Sequence, residues 1–236
     1  MTAVDQSLAS LTVSVLGGTG PQGRGLARRF AEAGIPVIIG SRSHERAEQT
    51  ALAVARATGG QVSAAANEGA ARAGDIVIVA VPWEGHGELL EKLADALAYK
   101  IVVDCVNPLG FDKRGAYALY VEEGSAAEQA AAILPRSRVV AAFHHVSAAR
   151  LEDRTIKSMA TDVLVLGEDR DATDLVQLLV NAIPGLRGRY GGRLRNARHV
   201  EALTADLISI HRRRKMHAGL GSRTSDNDLA ANHATS

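Results

Sequence analysis

Three glycines in the run Gly18-Thr19-Gly20-Pro21-Gln22-Gly23 have the spacing G-x-G-x-x-G, between an apolar run at Leu11–Leu16 and a helical pattern at Gln22–Ala33. In that setting the first glycine permits a tight turn and the second lets a diphosphate approach the backbone. The third lets the helix pack closely on the strand, and the diphosphate rests on the helix N-terminus. About twenty residues on, a fold that binds an unphosphorylated ribose places an Asp or Glu. Here the chain reads Gly40-Ser41-Arg42-Ser43 instead, with no acid. Ser41, Arg42 and, one turn into the next helix, Arg46 offer donors suited to a 2′-phosphate. These residues favour NADP over NAD. The bland alternatives are a glycine-rich turn without a ligand and a solvated helix start.

Other chemistry-bearing residues are sparse. His144 and His145 follow a strand-like run; in an extended segment they face opposite ways, and His145 is read as structural. His144 could donate to a ring carbonyl or be satisfied by backbone. Trp83 follows a strand end, where this fold binds ligands, and either walls a ring site or packs in the core. Cys105 is the only cysteine, which excludes an internal disulfide and a cysteine-cluster metal site. It is read as a bystander. No catalytic triad and no metal cluster is evident.

The elements that must position these residues alternate regularly. Strand candidates fall at Leu11–Leu16, Pro36–Ile39, Gln61–Ala64, Asp75–Val81, Ile101–Asp104, Arg138–Ala142 and Asp162–Leu166. Helical patterns fall at Gln22–Ala33, His44–Thr58, a short stretch from Asn67, Gly87–Leu97, a stretch from Ser125, and Asp171–Ile183. Such alternation predicts an α/β fold, a Rossmann-type doubly wound and mainly parallel sheet. Ser125-Ala-Ala-Glu128 fits a capping box. The segment Val106–Gly124, with Pro108, Gly110, Gly115 and Gly124, reads as a long loop. Asn196 is placed to cap a last helix with Val200, Leu203, Leu207 and Ile210 on one face. The chain thus divides into a flexible start (1–10), a Rossmann domain (11–183), a small C-terminal helical section (184–223) and a disordered tail (224–236).

Composition fits that picture. With 236 residues, 46% hydrophobic and 22% charged, the chain is long enough for one sizeable core. The longest apolar stretch, Ile76–Trp83, falls far short of the roughly 20 residues a membrane span needs, and the start lacks a secretory pattern. A cytoplasmic protein that coats neither nucleic acid nor membrane is expected. The formal net charge of +1 conceals an uneven distribution. Between Arg187 and Lys215 nine basic residues face Glu201 and Asp206, a local +7, so the remainder sums to −6. A local excess can serve one anionic ligand, although the run His211–Lys215 also suits a solvated helix end.

Six short elements, taken together in order, resemble one family: Gly17-Gly18-Thr19-Gly20, Gly40-Ser41-Arg42, Val81-Pro82-Trp83-Glu84, Ser125-Ala126-Ala127-Glu128, Ala148-Ala149-Arg150 and Glu201-Ala202-Leu203-Thr204. The chain resembles the F420-dependent NADP oxidoreductases from about Leu11 to Gly221. The resemblance implies reversible hydride transfer between C4 of the nicotinamide of NADP(H) and C5 of the deazaflavin coenzyme F420, in a homodimer. It implies that Gly18, Thr19, Gly20, Pro21, Gln22, Gly23, Ser41, Arg42 and Arg46 hold the phosphates and adenosine ribose. Val81, Pro82, Trp83, Gly85, Asn107 and Ala148 would line the nicotinamide end, and His144, Val146 and Thr204 would position the two rings. Such chemistry needs no nucleophile and no metal, because the cofactors carry it. The basic C-terminal section beside the ring site would meet the phosphodiester and glutamate tail of F420. Alternatives are an NADPH-dependent reductase of a flavin or ferric chelate, and a non-catalytic NADP-sensing module.

Overall fold

In the computed structural model, which describes residues 8, 10–214 and 219–221, the apolar runs form strands and the patterns between them form helices. In chain order these are β1 (Val13–Leu16), α1 (Pro21–Glu32), β2 (Val37–Ser41), α2 (His44–Thr58), β3 (Val62–Ala66), α3 (Asn67–Ala73), β4 (Ile76–Val79), α4 (His86–Leu97) and β5 (Ile101–Asp104). Then come β6 (Leu109–Asp112), β7 (Gly115–Ala118), α5 (Ala126–Ile133), β8 (Arg138–Ala141), α6 (Ala148–Glu152), β9 (Thr161–Gly167), α7 (Arg170–Asn181), β10 (Leu186–Gly192) and, after a 3₁₀ turn at Leu194–Asn196, α8 (Ala197–Arg214).

Eight strands make one sheet in the order β10-β9-β8-β5-β4-β1-β2-β3. Strands β1 to β5 and β8 run parallel, whereas β9 runs antiparallel to β8 and carries β10 parallel beside it. The chain winds outward from β1 to β3, then returns to β4 on the other side of β1. That reversal opens a crevice at the carboxyl ends of β1 and β4. Both strands are buried along their whole length, as a sheet covered on two faces requires. Leu26 and Phe30 of α1 and Val176 and Leu179 of α7 pack on one face; Leu90 of α4, Ala127 of α5 and Val200 of α8 pack on the other.

Several expectations need correction. The expected loop from Val106 to Gly124 contains the antiparallel hairpin β6–β7. Its turn is made by Asp112 Oδ1, which accepts from the backbone N–H of Arg114 (2.7 Å) and Gly115 (3.1 Å). Gly110 lies under the Tyr117 ring, where a Cβ would come within 2.4 Å of Cζ, so a residue that looks like a strand breaker is a seat for its cross-strand partner. The C-terminal section opens with strand β10 rather than helix. Its Arg187 and Arg189 disguise it, and both reach Asp162 of β9 (2.6 and 3.6 Å). The capping box at Ser125 closes differently as well. Ser125 Oγ accepts from Glu128 N–H at 3.0 Å, but the Glu128 carboxylate takes the Ser125 hydroxyl (2.9 Å). Of the start expected to be flexible, residues 1–7 and 9 lie outside the described residues, while Leu8 is buried in the core. The tail from Thr224 and Lys215 of the basic run also lie outside them. Among the described residues no helix is long and apolar enough to cross a membrane.

Candidate active site

Two cavities meet on the carboxyl edge of the sheet. The first, about 560 Å³, runs from the turn after β1 (Gly17, Thr19, Gly20) across the end of β2 (Ser41, Arg42, Ser43) to Arg46, with Val81, Pro82 and Gly85 opposite. The turn is built from close approaches. Gly17 has φ +73°, and a Cβ there would meet the Ala80 carbonyl oxygen at 2.5 Å. The tight turn therefore falls on Gly17, one residue before the motif. Gly18 is held by the nearness of Ile39 and Val15, and Gly23 by Gly17, whose oxygen a Cβ would meet at 2.7 Å. At Gly20 a Cβ would meet nothing closer than 3.4 Å. Gly18 and Gly23 are thus frame, and Gly20 leaves its space to the cavity. Pro21 is the first residue of α1, whose amino end has no side-chain cap and no acid in its first turn. The free N–H groups of that turn suit an anion.

The second cavity, about 430 Å³, shares Ala80 and Val81 with the first. Gln22, Cys105, Asn107, His144, His145, Val146, Ala148 and Thr204 line it, together with Leu207, Ile208 and His211 of α8. Here the backbone is held by side chains from three elements. Asn107 Nδ2 and Thr204 Oγ1 both donate to the His144 carbonyl (2.8 and 3.1 Å), and Gln22 Nε2 donates to that of Phe143 (3.3 Å). Phe143 has φ +66°. That turn replaces the extended segment expected here, so His144 and His145 line the same cavity instead of facing apart.

Both histidines are buried, and burial pushes each imidazole down to about 4. Both are neutral at pH 7. His145 Nε2 accepts weakly from Leu164 N–H (3.4 Å), which leaves the ring proton on Nδ1. Neither His144 nitrogen, nor His145 Nδ1, nor Asn107 Oδ1 makes a well-aligned hydrogen bond to protein, although the Val106 backbone lies close to His144. A buried polar atom without a partner costs stability, and together these atoms present donors and acceptors to whatever fills the cavity. Cys105 Sγ donates to the Val79 carbonyl (3.0 Å), and burial raises its pKa. The thiol is inert.

Trp83 lines neither cavity; it packs on the core against His86, ring centroids 5.6 Å apart. The arginines of the basic C-terminal section fall into paired and exposed sets. Arg187 and Arg189 pair with Asp162, and Arg193 with Glu168, while Arg195, Arg198, Arg212 and Arg213 are exposed. Glu201 was not expected as a structural residue. It is buried, and its carboxylate accepts from the N–H groups of Ala126 (2.9 Å) and Ala127 (3.2 Å), pinning α8 to the start of α5. Burial raises its pKa to about 7. Glu201 opens the Glu201-Ala202-Leu203-Thr204 element, but nothing local marks its carboxylate as structural, because its partners are backbone groups about 75 residues away.

Residues 12–108 match the family described as NADP oxidoreductase, coenzyme F420-dependent. The F420-dependent NADP reductase of Methanothermobacter thermautotrophicus is 38% identical over 218 residues, covering 89% of this chain and 94% of that protein. The enzyme of the same name from Methanocaldococcus jannaschii is 36% identical over 208 residues, covering 85% and 92%. Among solved structures, a candidate F420-dependent NADP reductase from Arthrobacter sp. FB24 superposes with a TM-score of 0.77 at 25% identity, covering 91% of this chain and all of that one. Identities of 36 to 38% over most of both chains place it: the chain belongs to the F420-dependent NADP reductase family.

Proposed function

We propose that the protein catalyses reversible hydride transfer between NADP(H) and F420, from or to C4 of the nicotinamide and C5 of the deazaflavin. The observation that carries this reading is the shared wall. A cavity with a phosphate-type turn and two arginines meets, at Ala80 and Val81, a second cavity lined by the buried polar atoms of His144, His145 and Asn107. Thr19, Gly20 and the backbone N–H of Gln22, just after Pro21, hold the diphosphate end, while Ser41, Arg42 and Arg46 hold the 2′-phosphate. Val81, Pro82, Gly85, Asn107 and Ala148 carry the nicotinamide toward the wall. His144, Val146 and Thr204 align the two rings and exclude water, the protein's contribution when the ligands supply the chemistry. His144 is a neutral hydrogen-bonding group here, since an imidazole with a pKa of about 4 carries no proton to spare at pH 7. Trp83 acts behind the wall. The reading includes a Rossmann domain over residues 11–183, a ring-side section from Pro184, and a cytoplasmic homodimer that acts on small molecules.

The test follows the near-ultraviolet absorbance of NADPH with F420, FMN and ferric citrate offered in parallel. Rapid oxidation with F420 and little with the others is expected. Turnover with FMN or the ferric chelate but none with F420 would overturn the reading, and no oxidation with any acceptor would favour an NADP-sensing module.

A further inference from the structure

Behind both cavities lies a histidine with no access to solvent. His86 opens α4 directly after Gly85, whose φ of +92° turns the chain inward. Its side chain and that of Asp104, the last residue of β5, are both fully buried, with Nε2 and Oδ2 2.6 Å apart. Nδ1 lies 3.0 Å from Gln129 Oε1 of α5. The Gln129 amide nitrogen in turn donates to both carboxylate oxygens of Glu123 at 3.3 Å. A carboxylate can only accept, so Glu123 determines which end of the amide faces the ring. The imidazole therefore meets two acceptors, and it satisfies both only with a proton on each nitrogen. Burial opposes that charge, but Asp104 and the hydrogen bonds to Asp104 and Gln129 outweigh it and hold the imidazole above its ordinary value. Trp83 lies near-parallel to the ring, tilted by 30°, and an aromatic face suits a cation. The other acid nearby is Glu201 of α8.

A well-packed apolar pair usually stabilises a core as well as a buried ion pair does, so this position invites another explanation. It lies in what the pair connects. Asp104 Oδ1 accepts from Val106 N–H (3.0 Å) and so sets the turn that delivers Cys105, Val106 and Asn107 to the second cavity. The residues just before His86 are the Val81, Pro82 and Gly85 wall of the first. We propose that His86 is a positioning residue: bonded at both ring nitrogens, it locks the 81–85 wall to the 104–107 wall and thereby sets the separation across which hydride passes. The proposal rests on the hydride-transfer reading above.

Protein labelled with nitrogen-15 in histidine tests it first. At about pH 7, just above the ordinary histidine value, His86 should show two protonated ring nitrogens, assigned by their loss in His86→Gln, and their resonances should move when NADPH is added. One unprotonated nitrogen, or resonances indifferent to NADPH, overturns the proposal. Single-turnover kinetics tests it second, on His86→Gln and on the paired His86→Leu/Asp104→Leu variant, which leaves no lone buried charge. Hydride transfer should slow about tenfold to a hundredfold in both, as small misplacements of reacting groups do. NADPH affinity should stay within about threefold, under 1 kcal/mol. A folded double variant with wild-type transfer reduces His86 to packing and also overturns the proposal. Wild-type protein in the same assay keeps the two readings apart: failure to reduce F420 strikes at the reaction, while the response of the His86 resonances to NADPH still decides the coupling of the walls.

Discussion

Arg42 and Arg46 flank the end of β2 and the first turn of α2, with Ser43 Oγ accepting from Arg46 N–H at 3.3 Å to start that helix. Both guanidinium groups are exposed at the mouth of the first cavity, where a phosphate can meet them without full desolvation. A charge-assisted hydrogen bond is worth about 1.5–3 kcal/mol, and exposure reduces that. Arg42→Ala should therefore weaken NADPH about tenfold and NADH by less than about threefold, measured by fluorescence titration with each dinucleotide. Equal losses would place the 2′-phosphate elsewhere. At this scale much of the site was legible. The glycine spacing and the missing acid after β2 are local patterns, and they identify the first cavity. Trp83 was harder to place because a residue at a strand end can point toward the ligand or behind the wall. Only the stack on His86 decides.

Among the elements, α1 is tied at both ends. Its amino end forms the phosphate-type turn, and farther along, the buried Arg29 donates to four carbonyls, those of Arg150, Leu151, Asp153 and Ile156, at 2.8 to 3.0 Å. Arg28 and Arg24 add contacts to Glu152. One helix thus anchors α6, whose first residues Ala148 and Ala149 line the second cavity. Arg29→Ala leaves those carbonyls buried without a donor, at about 1–3 kcal/mol for such a group. The variant should lose about 3 kcal/mol in urea denaturation, and amide exchange should quicken over residues 148–156 before the rest of the sheet. Unchanged exchange there would refute the anchor. Strands β1, β4 and β5 were readable because they are short, nearly all-apolar runs. Strand β10 and the hairpin β6–β7 were not, because their stabilising partners, Asp162 for the arginines and Tyr117 for Gly110, are cross-strand neighbours that no local pattern displays.

For the molecule as a whole, the two neutral histidines link folding to pH. His144 and His145 have folded values of about 4 against about 6.5 for an ordinary histidine. Between those values the unfolded chain binds more protons, so their contribution to stability is present above about pH 6.5 and is lost as pH falls toward 4. Glu201, raised to about 7, acts in the opposite sense: its contribution is lost as pH rises from its ordinary value through 7. A His144→Gln/His145→Gln variant keeps Glu201 and isolates the histidines. Its stability should fall less than wild type between pH 6.5 and 4 in denaturant titrations, and parallel losses would contradict the neutral assignment. The reversed strand β9 has a consequence of another kind. Because β9 and β10 run against β8, the chain leaves β10 on the far edge, and α8, of 18 residues or roughly 27 Å, runs back to reach the second cavity. Everything that lines the first cavity lies between Gly17 and Lys92, whereas the second waits for Thr204–His211. On the ribosome, where the amino-terminal part is made first, every residue that lines the first cavity has been added before the helix that closes the second.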